Sequence, residues 1–377
     1  MNLDIPNYRF GVLFTIRDHF ENGNPGWFPR NQLPRVNCIA VRTLSERLAL
    51  AHLVPAPRSV QHLPSTMSEV EESSTAKAPF DNPEGDIILQ SADGVNFHVF
   101  KLILSLVSDV FKSMFTLPQD TKQSDVSSVP IIPLAENSTT LGSLLLLCYP
   151  ASSPTFETFE DAKAVLEAAR KYDIGIAVSS ARDHTFAQFL ETKPLELYAL
   201  SRVFGWKKYA QMAAKRTLQI NLKDLGRPNN EFAGMTDITA LDYHKLLVYH
   251  HDCGIAAQAV GASLKWLTSE NISMCMWQCG QRSVKIYTGA SQVELLTTPW
   301  FHEYLVSSGK ELYARPCEAT LQSRGSHNRA INVAITCNFC RSTVVDCMER
   351  FHILYVAQVQ KVLADVSQLS SSNPKLT

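Results

Sequence analysis

One stretch constrains this chain more than any other: residues 86–111, DIILQSADGVNFHVFKLILSLVSDVF. Ile87, Ile88 and Leu89 form a nearly continuous apolar run, the pattern of a strand buried on both faces. Ala92-Asp93-Gly94 follows as a turn, with glycine supplying the positive φ that a tight hairpin needs. Val95, Phe97 and Val99 then alternate with Asn96 and His98, as in a half-buried strand. Leu102, Leu106, Val110 and Phe111 fall at helical spacing, which predicts one amphipathic helix running out of the second strand. No residue here looks like a nucleophile or a metal ligand. The block is a packing unit, which favours an interaction protein over an enzyme.

The same residues carry a family resemblance. An acidic residue (Asp86), an apolar strand, the Asp93-Gly94 turn, then Phe97, Val99 and Lys101, then Leu104, Ser108, Val110 and Phe111 resemble the opening of a BTB/POZ domain. Phe100 departs from the pattern, standing where the family usually has histidine. Downstream, Met114-Phe115 and residues 129–150 resemble the strand and helix that follow in that family. Residues 159–174 resemble its next helix, with Ala168, Ala169, Lys171 and Tyr172 at the signature positions. Residues 194–218 resemble the helix pair that follows the domain in fungal BTB proteins. The resemblance holds to about residue 225, loosens beyond it, and does not reach residues 1–79.

Composition excludes several functions. The formal net charge of −1 gives no global field to attract nucleic acid or an anionic membrane. The longest apolar stretch, residues 144–148, is far too short to span a bilayer. Nine cysteines in 377 residues are too sparse for a disulfide scaffold, and without a secretory signal reduced thiols are expected. Residues 1–66 contain arginine but no lysine and show no sustained period, and the texture changes at Met67 to a polar acidic leader. Met67 as the true start, with mis-assigned coding sequence before it, is one reading of that change. A mitochondrial targeting peptide is the rival, opposed by Asp4, Asp18, Glu21 and Glu46.

The expected organisation is a disordered extension and linker over 1–79, a BTB/POZ domain over 80–180, a helical region over 181–270, a C-terminal helical region with cysteine pairs over 271–367, and a disordered tail over 368–377. From Phe156 onward the chain reads as almost wholly helical, with two helices over 237–268 separated at Cys253-Gly254. The clearest helix covers 343–367, where Val344, Met348, Phe351, Tyr355, Val359, Val362 and Val366 make one apolar stripe. The fold class is therefore α+β: a small sheet with clustered helices, then a mostly α-helical region.

The cysteines supply the one candidate chemical site. Cys275 and Cys279, at i and i+4, share a helix face, and Cys337 and Cys340 have the C-x-x-C spacing that places two thiolates on one tetrahedral ion. Together they could form a closed structural zinc site, with His250, His251, Cys253 and Cys347 as spare ligands. The bland alternative is buried thiols acting as small hydrophobes. No cofactor is expected otherwise. His250, at helical spacing from Tyr243, Leu246 and Leu247, reads as a core or boundary histidine, and Lys207-Lys208 as a solvated face. No Gly-rich phosphate loop, G-x-S-x-G or H-E-x-x-H occurs.

The resemblance implies a protein interaction module that forms a homodimer or homo-oligomer, with Leu102, Ser105 and Leu106 in self-association. It also implies a partner surface at Met114, Phe115 and Leu117, where many members bind a cullin scaffold as ubiquitin ligase adaptors. The expected partners are proteins, without direct nucleic-acid or membrane binding, in the cytoplasm or nucleus. The alternatives are a homo-oligomeric scaffold or transcriptional co-regulator without a ligase role and, from a different class, a zinc-dependent enzyme built on the C-terminal cysteines.

Overall fold

A computed structural model describes residues 74–117, 129–151, 153–227, 231–268, 284–288 and 293–372. All of them lie in the compact unit Val70–Thr377.

The opening block forms β1 (Ile87–Gln90) and β2 (Asn96–Val99), paired antiparallel, and β3 (Ile131–Pro133) adds parallel to the other edge of β1. β1 is thus central in the order β2-β1-β3, which explains its unbroken apolar run: Ile87, Ile88 and Leu89 are all buried. In β2 only Phe97 and Val99 are buried, as the alternation predicts. Gly94 makes the turn at φ 80°. The Asp93 carboxylate beside it accepts from the Ser138 N–H (2.8 Å) and hydroxyl (2.6 Å), fastening the turn to the start of a later helix. The Ser138 hydroxyl, more than any other group, pulls the Asp93 pKa down to about 2.

The expected single helix after β2 is two. α1 (Lys101–Val107) ends at Ser108, whose extended backbone breaks the chain before α2 (Asp109–Thr116). Ser108 is a cap: its Oγ accepts from the Phe111 N–H (3.0 Å) and donates to the Tyr172 carbonyl (2.5 Å). The acidic residue of the motif, Asp86, accepts from the Lys101 N–H at the start of α1 (2.7 Å). Leu104 and Phe111 enter the core, where Phe111 stacks on Tyr172 at 4.7 Å between centroids. Residues before the domain are also engaged: Thr75 bridges to Asn96, and the Ala76 N–H donates to the Asn96 carbonyl (2.9 Å). The last part of the expected linker therefore covers the outer edge of β2.

α3 (Ser138–Cys148), α4 (Phe159–Lys171) and α5 (Gly175–Phe189) complete this layer. α4 starts with a full capping box between Thr158 and Asp161. α6 (Pro194–Val203) opens with proline in its first turn, as expected. α7 (Lys207–Thr217) and the short α8 (Leu222–Leu225) lead to α9 (Ala240–Ala262). α9 is one continuous helix of 23 residues, not two. Gly254 does not break it but lets it pack: a Cβ there would sit 2.7 Å from the Tyr313 carbonyl oxygen. Gly261 plays the same part against Tyr355, whose hydroxyl would lie 2.5 Å from an added Cβ.

The almost wholly helical expectation fails at β4 (Val284–Thr288) and β5 (Val293–Thr297), an antiparallel hairpin. α10 (Pro299–Ala314), α11 (Glu318–Gln322), α12 (Gly325–Ile335) and α13 (Val344–Ser372) follow. α13 continues to Ser372, so residues 368–372 belong to the helix and not to a disordered tail. Its stripe behaves as expected: Val344, Met348, Phe351, Tyr355 and Val359 are buried against α9 and α10, and Val362 and Val366 pack at the edge. Among the described residues, three apolar clusters result: one under the sheet, one joining α4 to α9, and one inside the C-terminal helices.

Candidate interaction site

The first candidate surface is α1. Its side chains divide sharply: Leu104 is fully buried, while Leu102 and Leu106, one turn apart, are 70% and 77% exposed. Ser105 is half-buried beside them, and Val110 at the start of α2 extends the exposed apolar strip. Leu102, Leu106 and Val110 share a helical period but not a place in the core: Leu104 and Phe111 take the inward face, and these three lie on the opposite one.

The second candidate surface follows directly. Met114 and Phe115 are half-buried against the sheet cluster, with Phe115 stacked on Phe111 at 5.8 Å. Leu117 is 63% exposed. The second surface thus stands on the Phe111–Tyr172 stack. Tyr172 is fixed in turn by its hydroxyl, which donates to Glu136 (2.5 Å), and Lys171 pairs with the same carboxylate at 2.7 Å. Burial first, and then this bond, push the Tyr172 hydroxyl well above its ordinary range, so it remains a donor.

Among the described residues, the side chains singled out for chemistry do not assemble into a reactive centre. Cys275 and Cys279 lie outside the described residues. Cys337 and Cys340 are buried in the C-terminal cluster, and no group of three or more metal-ligating side chains occurs among the described residues. Cys253 is fully buried, and burial pushes its thiol up to about 12, the wrong direction for a nucleophile. His250 is also fully buried and donates through Nε2 to the Ile220 carbonyl (2.9 Å), with burial lowering its pKa. His251 is exposed, with its Nδ1 3.1 Å from the Tyr313 hydroxyl.

The sequence reading missed one concave feature. Lys207 and Lys208 are exposed, as expected, and they also stand at the rim of a cleft between α7 and α9 that takes in Arg202, Lys215 and Lys245. Lysines at 208 and 215, two turns apart with Met212 between them, were the available signal.

Residues 81–185 match the family model of the BTB/POZ domain. This segment, with its three-stranded sheet and clustered helices, is a BTB/POZ domain, a protein-interaction family, and a mostly helical region follows it. No curated protein matches the chain. Among the described residues no helix is long and apolar enough to cross a membrane.

Proposed function

We propose that the chain is a non-enzymatic adaptor of the cytoplasm or nucleus. In this reading it self-associates through α1, offers the Met114–Leu117 surface to a cullin scaffold, and holds a client through its helical C-terminal half. The observation that carries the reading is the pair Leu102 and Leu106: two large apolar side chains, one turn apart, left outside a domain that buries Leu104, Leu141, Leu144, Leu145 and Leu166. Such a strip is worth little to an isolated chain and much to a symmetric pair, in which each copy covers the other.

A second reading drops the ligase and keeps a homo-oligomeric scaffold or transcriptional co-regulator. It is favoured by the half-burial of Met114 and Phe115 against their own core, which leaves Leu117 as the one strongly exposed apolar side chain of that surface. Affinity purification of the tagged full chain from native cells separates the two. The adaptor reading expects a cullin with ubiquitin machinery, lost in Leu117→Glu while the melting temperature is kept. Recovery of the chain with itself or with chromatin factors, and no cullin, favours the scaffold. Leu117 is the better probe because a charge at Phe115 would also disturb the stack on Phe111.

A further inference from the structure

The cleft between α7 and α9 has a volume of about 300 Å³. Ala210, Met212 and Ala214 line it from α7, and Leu246, Val248 and Tyr249 from α9. Tyr198 and Arg202 of α6, Gln211 of α7 and Ser367 of α13 also line it. None of these residues belongs to the sheet or to α1–α5, so the cleft is separate from both surfaces described above. Its floor is apolar and its rim is basic: Arg202, Lys207, Lys208, Lys215 and Lys245 line it against a single carboxylate, Asp252.

That imbalance is local, because the whole chain carries a formal charge of only −1. Arg202 is already committed to Asp242 at 2.6 Å. The four lysines form no ion pair with the described residues. Two of them also stand against the local field. Lys207 and Lys208 occupy the first turn of α7, where the helix dipole is positive, no acidic residue compensates and no side chain caps the helix. Like charges gathered around an apolar groove repel one another in the empty protein and are relieved by an anionic partner. Met212 is 40% exposed at the mouth, a flexible apolar contact of the kind found at peptide-binding surfaces.

We propose that this cleft binds an acidic amphipathic segment of a partner protein, with one or two apolar side chains against Leu246, Val248 and the Met212 at the mouth, and flanking Asp or Glu on the lysine rim. The volume lies at the small end for a ligand pocket, which suits a few side chains of a longer segment better than a whole cofactor. The inference deepens the reading of the helical half as the client-binding part and rests on it. The two can fail separately, because binding at the cleft needs neither α1 nor a cullin.

The test is fluorescence anisotropy on the purified full chain. The probe is a labelled short peptide with Leu and Phe one turn apart between Asp and Glu residues. The comparators are the same peptide with Lys for every acid, the same peptide with Ser for Leu and Phe, and oligo-dT. Saturable binding of the acidic apolar peptide is expected. Lys208→Glu/Lys215→Glu and, separately, Met212→Asp should each weaken it at least tenfold, with the control Lys361→Glu unchanged. These positions are exposed, so the variants should melt with the wild type. Binding should also weaken as the Debye length falls from about 30 Å to about 8 Å. No saturable binding, equal binding by the variants, or equal binding of the Ser peptide would overturn the proposal. Preference for oligo-dT would overturn it in favour of a nucleic-acid surface. A change in particle mass in the charge-reversed variant would overturn it in favour of a second copy of the chain.

Discussion

Replacing Gly254 with alanine sets two effects of opposite sign against each other, and the structure decides between them. Gly254 lies inside α9, where alanine would favour the helix by about 1 kcal/mol. Its added Cβ, however, would stand 2.7 Å from the Tyr313 carbonyl oxygen and 3.3 Å from that residue's ring. The nearer atom is backbone in α10, which packs along α9, so relief requires moving one helix against the other. Overpacking of this kind costs about 1–3 kcal/mol, with the upper part expected where backbone must yield. The net expectation is a loss of about 1–2 kcal/mol, a change of roughly 5–30-fold in the folded-to-unfolded ratio. Gly175→Ala is the control. That glycine opens α5 and has nothing within 4 Å of its added Cβ, so the change should be neutral or stabilise by up to about 1 kcal/mol. Urea titration followed by tryptophan fluorescence reads the difference, since Trp266 and Trp300 both lie in the C-terminal cluster. If Gly254→Ala raises the midpoint as Gly175→Ala does, the argument that this glycine exists for helix approach is wrong.

Three further outcomes follow from particular contacts. His352 is buried and held below its ordinary 6.5, by burial first and then by the neighbouring His327 and Arg324, with Glu349 opposing. The unfolded chain takes up that proton more readily, so stability is full above about pH 6.5 and is lost as pH falls below it; His352→Gln should flatten the fall in melting temperature between about pH 7.5 and 5.5. Thr158→Ala removes the capping box of α4 and should cost about 1 kcal/mol in thermal or urea unfolding, whereas a loss below about 0.3 kcal/mol would mean that water replaces the cap. If Cys275 and Cys279 join Cys337 and Cys340 on a metal, elemental analysis of the purified chain should find close to one zinc, lost in the Cys337→Ser/Cys340→Ser variant. A metal-free wild-type chain dismisses that site.

Legibility in the sequence followed the range of the interactions. Period-two alternation, the Asp93-Gly94 turn and the long stripe of α13 are local patterns, and each became the element it foretold. Two errors arose where a local rule met a tertiary contact. Ser108 sits in an unbroken helical period, yet its backbone is extended and its hydroxyl bonds the distant Tyr172 carbonyl, a contact that no local pattern announces. Gly254 carries the usual sign of a helix break, yet its lack of a side chain lets α10 approach. The basic cleft was hidden for a similar reason. Lys245 and Lys208 lie far apart in sequence, and only the packing of α7 beside α9 makes a rim of them.

The central claim is self-association through α1, and light scattering on the purified full chain tests it most directly. Burying Leu102 and Leu106 from their present exposure is worth about 1–2 kcal/mol for each side chain, and four such side chains meet in a pair. This gross gain of about 4–8 kcal/mol is offset in part by the translational and rotational freedom lost on association. The account predicts a particle of two chains or more that falls to one chain in Leu102→Glu/Leu106→Glu with an unchanged circular dichroism spectrum. A wild-type chain that stays monomeric at tens of micromolar, or a variant that keeps its mass, would contradict it.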